Sequence, residues 1–250
     1  MKATYQIAEK RIQICSIYEQ VHHYCREYRC QGEPDFTVTT TMADIDYERK
    51  KALRNDFVEG HLLQERQSAY LEELAVYRKI AEKMPEYDTF LFHGSSVAVD
   101  GQGYLFTAKS GTGKSTHTRL WRKLLGDRAV MVNDDKPLIR VGHDCVTVFG
   151  TPYNGKHRLG NNIAVPLKAI CLLERSAENH IRSIAPEEAY PMLLQQSYRP
   201  KDRTALAATL TLIDRLMGQV AFWKLGCNMD PSAAAIAFQF MSEGKRGTVC

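Results

Sequence analysis

No stretch of the 250-residue sequence approaches the length of a membrane span, and its opening "MKATYQIAEKR" lacks the apolar core of a signal peptide. The expectation is a cytoplasmic protein without a membrane partner. An excess of one charge is also missing. The sequence has 33 basic and 29 acidic residues, a formal charge of +4. The basic residues form no run and no aromatic-interleaved stripe, which argues against nucleic acid. There is no Cys-x-x-Cys pair, and the seven cysteines are scattered. Free thiols are therefore the default, not a disulfide framework. His22, His23, Cys25 and Cys30 in "HHYCREYRC" are ligand types, but their spacing matches no zinc pattern and no second half-site follows. Internal repeats and low-complexity linkers are absent too.

What is present is ordinary for a globular chain, with 44% hydrophobic and 25% charged residues. The length suits one large domain, or one domain with a smaller appendage. Residues 1–88 read as a small N-terminal α+β segment. "TYQIAEKRIQICSIY" and "FTVTTTM" suggest short strands broken by Gly32 and Pro34. Leu63, Tyr70, Leu71, Leu74, Tyr77, Ala81 and Met84 recur at helical spacing over residues 60–84.

Residues 89–250 read differently. "FLFHGSSVAV" and "YLFTA" are strand-like and joined by the turn "DGQG". "STHTRLWRKLL" predicts a helix closed by Gly126. "RAVMV" predicts a buried strand, and "PLIRV" and "CVTVF" a hairpin around "GHD". "LKAICLLER" is another buried strand. Pro186 opens one helix, Asp202 caps a second and Asp230-Pro231 opens the last. Consecutive hairpins argue against a purely parallel doubly wound sheet, so the expected class is α/β (α+β) with a mixed β-sheet.

Between the strand ending at Thr107 and the helix after it stands "AKSGTGKSTHT". It fits small-x-x-x-x-Gly-Lys-Ser, with Ala108 in the small position. Ser110, Gly111, Thr112, Gly113, Lys114, Ser115 and Thr116 would form a phosphate cradle. Gly111 and Gly113 allow successive N–H groups to turn toward one anion, and the following helix aims its positive end there. Lys114 would reach the β- and γ-phosphates, and the Ser115 hydroxyl could ligate Mg²⁺. The bland alternative is a Gly-rich turn that merely starts a helix.

Twenty residues after Lys114, "VMVNDD" ends a buried strand in two carboxylates, Asp134 and Asp135. A phosphate-loop fold places its metal-holding acid at such a strand end. Two acids suggest divided labour, one on Mg²⁺ and one accepting a proton from a hydroxyl. Which is which stays open, and a plain surface turn is the competing reading. His93 leaves the strand "FLFHGSS" at its end, and that strand is expected next to the loop's own strand, so the ring would be within reach of phosphate or metal. The loop 150–162 is long, polar and basic, and Lys156 and Arg158 in it are candidates for binding the acceptor or the transferring phosphoryl group. Glu174 and Arg175 in "LLER" are equally an ion-pair site.

Read together, "FHGSSVAVDGQGYLFTAKSGTGKST…VNDD" resembles the nucleotide site shared by HPr kinase/phosphorylase and phosphoenolpyruvate carboxykinases. In that superfamily a strand carrying His precedes a Ser-Gly-x-Gly-Lys-Ser/Thr loop, and an Asp-Asp pair follows. Here those positions are His93, Ser110–Ser115, and Asp134 with Asp135. The resemblance covers roughly residues 90–140 and implies a P-loop kinase domain of the phosphoenolpyruvate carboxykinase/HPr kinase type. It implies ATP or GTP as co-substrate, with Mg²⁺, or Mn²⁺ near His93. It also implies one Asp as base and the other as metal ligand.

The expected activity is transfer of the γ-phosphate to a hydroxyl on a protein, peptide or small molecule, with His93, Lys114, Asp134 and Asp135 catalytic. A nucleotide-hydrolysing switch and a carboxykinase-type lyase are the alternatives. The first lacks an obvious water-orienting Gln near the Asp pair, and the second asks for a longer chain. The acceptor, any phosphorylase activity and any homo-oligomeric assembly stay open.

Overall fold

The computed structural model describes residues 1–58, 60, 62–155 and 157–243. Lys156 thus lies outside the described residues. The chain divides into two compact units, Met1–Lys83 and Met84–Cys250. No helix among the described residues is long and apolar enough to cross a membrane.

In the first unit β1 (Lys2–Ile7) and β2 (Lys10–Cys15) pair antiparallel around Ala8 and Glu9, both at positive φ. Helix α1 (Gln20–Tyr24) follows, and β3 (Phe36–Thr39) then pairs parallel with β2. Tyr5, Ile7, Ile12, Ile14 and Val38 are buried, the alternation that gives a small sheet one inner face. His22 in α1 sits 2.8 Å from the Tyr5 hydroxyl and 2.9 Å from Ser16 Oγ, so both its ring nitrogens serve the unit's own packing.

Helix α2 (Met42–Val58) and helix α3 (Ser68–Lys83) complete this unit. The helical spacing expected over 60–84 thus begins only at Ser68, and Leu63 stands exposed before it. The hydrophobic pattern does not announce α2, because its inner side is charged. Glu48 and Asp44 face Arg78 of α3, and Asp44 also pairs with Lys79 at 2.9 Å. Buried Glu72 of α3 accepts from the Ile17 and Tyr18 amides and from the Thr40 hydroxyl. These bonds satisfy its carboxylate away from water.

The second unit opens with β4 (Thr89–Leu91), β5 (Ser95–Val99), β6 (Gln102–Thr107), α4 (Lys114–Leu125) and β7 (Ala129–Asn133). It continues with β8 (Leu138–Val141), β9 (Val146–Phe149), β10 (Ala164–Arg175) and β11 (His180–Ser183). Helices α5 (Pro186–Gln196) and α6 (Arg203–Met217), strand β12 (Ala221–Cys227) and helix α7 (Ser232–Glu243) follow. The fold is a mixed α+β arrangement. The strand path is β4-β8-β9-β10-β6-β5-β7, with β12 also on β10 and β11 on β12. β10 runs parallel to β6 and β12 and antiparallel to β9. Its first residues pair with β9 and its later ones with β12, so the sheet forks along this one strand.

Alternation along β6 and β10 divides the apolar side chains between two cores. Leu105, Ile170 and Leu172 join α5 and α6, whereas Tyr104, Phe106, Ala169 and Cys171 join Trp121 of α4 and Ala234 and Ala237 of α7. Asp202 caps α6 as expected, its Oδ1 accepting from the Ala205 amide at 2.9 Å.

The strand that ends before His93 does not lie beside β6. The expected single strand is split: β4 pairs with β8, β5 pairs with β6, and His93 sits in the break. Gly94 explains the crossing. A Cβ there would lie 3.0 Å from Leu105 and 3.1 Å from the Phe106 carbonyl, tighter than ordinary contact, and glycine lets the backbones approach without that crowding.

Candidate active site

The segment between β6 and α4 is a turn in which Gly111 (φ 74°) and Gly113 (φ 121°) take backbone conformations that L side chains rarely adopt. Ser110 and Gly111 are exposed, Thr112 and Thr116 half-buried, and Gly113 stands at the N-cap of α4. Lys114 bends back so that its Nζ donates to the Ala108 carbonyl at 3.3 Å. Burial lowers the Lys114 pKa, against the pull of Asp135 and Asp134. Arg175, at the end of β10, donates to the Gly111 carbonyl at 2.7 Å and ties the turn to the sheet. Its neighbour Glu174 pairs with Lys224 at 3.0 Å.

Asp134 and Asp135 follow the last residue of β7, and their surroundings differ. Asp134 is buried, and its Oδ1 accepts from Ser95 Oγ at 2.6 Å. Burial raises its pKa, opposed by hydrogen bonds from Ser95 and Ser115, while His157 of the loop 150–162 also acts on it. Thr118 Oγ1 stands 2.9 Å from Ser95 Oγ, so hydroxyls from β5 and α4 converge on this carboxylate.

Asp135 lies 3.3 Å from His93 Nε2 and pairs with Lys136. Burial pushes its pKa up, but the hydrogen bond from His93 and the charge of Lys136 outweigh this and bring it down to about 2. His93 reaches it because the adjoining backbones run side by side. The Phe92 amide donates to the Pro137 carbonyl and the Gly94 amide to the Asp135 carbonyl, both at 3.1 Å. The other ring nitrogen of His93, Nδ1, lies 2.8 Å from Gln196 Oε1, which holds the ring with Nε2 toward the carboxylate.

Asn133, which sequence reading passed over, organises this corner. Its Oδ1 accepts from the Asp135 amide at 2.9 Å and the Lys136 amide at 2.7 Å, an Asx turn that fixes the acid pair. Its Nδ2 donates to Thr151 Oγ1 at 2.9 Å, which fastens the loop 150–162 to the same corner. Ser95, Thr118, Thr151 and Gln196 were also unforeseen. Only Asn133 carried a signal, a turn-former placed directly before two acids.

The loop 150–162 packs closely. A Cβ on Gly150 would lie 1.8 Å from the Asn161 carbonyl, and one on Gly155 would lie 3.3 Å from Asp135 Cβ. The loop therefore reaches the acid pair at Gly155. Arg158 lies elsewhere along it. With Arg122 and Val130 it lines a cleft of about 540 Å³ that includes neither Asp134 nor Asp135. This cleft and the cluster of titratable groups are thus separate, and the chemistry belongs with the cluster.

A divalent cation suits this corner on the evidence of its donors. Asp134 and Ser115 offer one buried carboxylate and one hydroxyl, hard oxygen ligands close enough that the hydroxyl lowers the acid's pKa. Among the described residues no group of three or more His, Cys, Asp or Glu side chains could hold a metal by itself. The donor set fits an ion that takes its remaining ligands from phosphate and water.

A family profile described as SynChlorMet cassette protein ScmC matches residues 63–204. No curated protein matches the chain. Among solved structures, the Hpr(Ser) kinase/phosphatase from Coxiella burnetii aligns at 14% identity with a TM-score of 0.27, over 50% of this chain and 96% of that one. Because the profile spans more than half of its length, the chain belongs to the family described as SynChlorMet cassette protein ScmC.

Proposed function

We propose that the second unit is a phosphotransferase that moves the γ-phosphate of ATP, or of GTP, to a hydroxyl acceptor. The observation that carries this reading is the meeting of two inequivalent carboxylates with the turn that opens α4. Ser115 of that helix acts on Asp134 and lowers its pKa, while Asp135 turns to His93 and the loop at Gly155. A structural ion pair needs one carboxylate. A kinase needs one for the metal and another for the hydroxyl.

In this reading the amides of residues 110–116 and the charge of Lys114 bind the triphosphate, and Lys114 leaves the Ala108 carbonyl to do so. Asp134 and Ser115 hold Mg²⁺, or Mn²⁺, which when bound neutralises charge on the β- and γ-phosphates. Asp135 orients the acceptor hydroxyl and takes its proton. It starts ionised, and its basicity rises once the acceptor displaces the hydrogen bonds of His93 or Lys136. His93, held by Gln196, then steadies the charge at Asp135. Arg158 lines the separate cleft and takes no part in the transfer in this reading.

The test is direct. Calorimetry should detect Mg²⁺-dependent ATP binding, and ATP labelled at the γ-phosphate should label an acceptor in a panel of hydroxyl compounds and Ser peptides. Absence of Mg²⁺-dependent nucleotide binding would end the proposal. Binding with hydrolysis but no labelling of any acceptor would replace it by the switch reading.

A further inference from the structure

We propose that Lys136 is a further catalytic residue, which leaves Asp135 when ATP binds, takes hold of the γ-phosphate and so uncovers the carboxylate for the acceptor. The inference rests on the phosphotransferase reading above. Both oxygens of Asp135 are occupied in the structure. Oδ1 lies 3.3 Å from His93 Nε2, and Oδ2 accepts from Lys136 Nζ. An acceptor hydroxyl that is to give up its proton needs one of those oxygens, so one of the two groups must yield.

The two are held differently. His93 is anchored from behind: its Nδ1 lies 2.8 Å from Gln196 Oε1, and its amide donates to the Gln196 carbonyl at 2.8 Å. Lys136 is fixed through its backbone, whose amide donates to Asn133 Oδ1 at 2.7 Å and whose carbonyl accepts from Thr151 Oγ1 at 3.0 Å. Its ammonium ends a flexible four-carbon stem, and the side chain is 37% exposed. The base of this side chain is clamped while its tip can swing.

The γ-phosphate of the proposed complex lies within that swing. An in-line acceptor oxygen stands about 3 Å from its base and about 3 Å from the phosphorus, which puts Asp135 within about 6 Å of the transferring group. Lys114, assigned to the phosphates, is itself acted on by the charges of Asp135 and Asp134, so it shares their corner. An arriving triphosphate brings more negative charge than one carboxylate, and an ammonium group binds phosphate as a point charge without a fixed geometry. The move neutralises the phosphoryl group and frees Asp135 in one event. The hydroxyl proton then passes to Asp135 as the acceptor oxygen bonds the γ-phosphorus and the bond to the β–γ bridging oxygen breaks, releasing ADP.

Calorimetry on the full chain with Mg²⁺–ATP and Mg²⁺–ADP tests this. Lys136→Met should weaken ATP binding by roughly tenfold and leave ADP binding unchanged, because only ATP carries the γ-phosphate. Unchanged ADP affinity also shows that the variant is folded. Lys136→Arg should recover part of the ATP affinity. In the Asp135→Asn background the carboxylate is gone, and adding Lys136→Met should still weaken ATP binding by a similar factor. If it does not, the single variant failed only through an uncovered, repelling Asp135, and the inference falls. Equal losses for ATP and ADP, or no loss for either, also overturn it while leaving the phosphotransferase reading in place. A wild-type chain that binds neither nucleotide ends that reading, and this inference with it.

Discussion

Ser95 Oγ donates to Asp134 Oδ1 at 2.6 Å, and through Thr118 Oγ1 at 2.9 Å the same hydroxyl is linked to α4. One small side chain on β5 therefore couples the acid at the end of β7 to the helix behind the glycine turn. Ser95→Ala removes a bond that lowers the Asp134 pKa against burial. The Asp134 pKa should rise further, and the acidic limb of the kcat/KM profile should move to higher pH. Urea unfolding should show a loss of about 1–2 kcal/mol for a buried bond removed. An unmoved acidic limb would show that Asp134 ionisation does not govern turnover.

The two carboxylates should fail in different ways when changed to Asn. Asp134→Asn should raise the Mg²⁺ concentration needed for nucleotide binding, because its carboxylate is the one on which the Ser115 hydroxyl acts. Asp135→Asn should leave nucleotide binding alone and slow transfer by roughly 10²–10⁴-fold. Calorimetry and single-turnover transfer distinguish the two. Equal effects of both variants on Mg²⁺ dependence would show a shared rather than divided role.

Lys114→Met keeps the aliphatic stem and deletes the cation. The lost bond to the Ala108 carbonyl is long, 3.3 Å, so the fold should persist with a change in stability of about 1 kcal/mol or less. Turnover and nucleotide affinity should both fall sharply. Undiminished ATP affinity in this variant would sink the phosphate-binding reading of the turn.

Much of this corner was legible because its signals are local. Glycines at the turn, Lys114 at the start of a helix and two acids after an apolar run can each be seen in a few residues. The placement of His93 was half legible. Its proximity to Asp135 depends on the crossing at Gly94, marked only by the glycine beside it, and on β4 pairing with β8, which leaves no mark near His93. Gln196 lies 103 residues away, and nothing in "LLQQSY" marks one amide over another. Helix α2 was hidden for a different reason. Of its buried residues only Ile45 is apolar; Glu48 and Asp56 are charged and paired with Arg78 and Arg66, so apolar periodicity had little to report.

His117 makes stability depend on pH. It is buried, its Nε2 accepts from Trp121 Nε1 at 3.0 Å, and its Nδ1 has no partner. Burial lowers its pKa from 6.5 to about 4. The unfolded chain therefore takes up a proton that the folded ring refuses. Stability from this group is complete above about pH 6.5 and drains away as pH falls toward 4, by up to about 1.4 kcal/mol per pH unit. Asp134, with its raised pKa, works in the opposite sense. The comparison of wild type with His117→Gln isolates the histidine, since Gln still offers Trp121 an acceptor but does not titrate. The variant should lose less stability between pH 6.5 and 4, and parallel curves in urea unfolding would refute this assignment.

Two glycines of the loop 150–162 should separate its structural duty from its duty at the acids. Gly150 faces the Asn161 carbonyl so closely that a Cβ would sit 1.8 Å from it and 2.7 Å from the Val132 carbonyl. Both contacts are backbone and cannot swing away. Gly150→Ala should unpin the loop from β7 and cost about 2–4 kcal/mol, read by denaturation. Gly155 is different. Its φ of 76° costs an alanine about 1–2 kcal/mol, and the new methyl would lie 3.3 Å from Asp135 Cβ, where a shift of a few tenths of an ångström relieves it. That small shift falls on the carboxylate assigned to the acceptor hydroxyl. Gly155→Ala should therefore remain folded and bind Mg²⁺–ATP normally, yet transfer to the acceptor should fall by roughly tenfold or more, since positioning errors of an ångström are costly. Comparing single-turnover transfer with nucleotide affinity in this variant checks the point. If transfer survives while stability falls as predicted, the loop serves only to close the fold, and the acceptor must approach Asp135 from the side of His93.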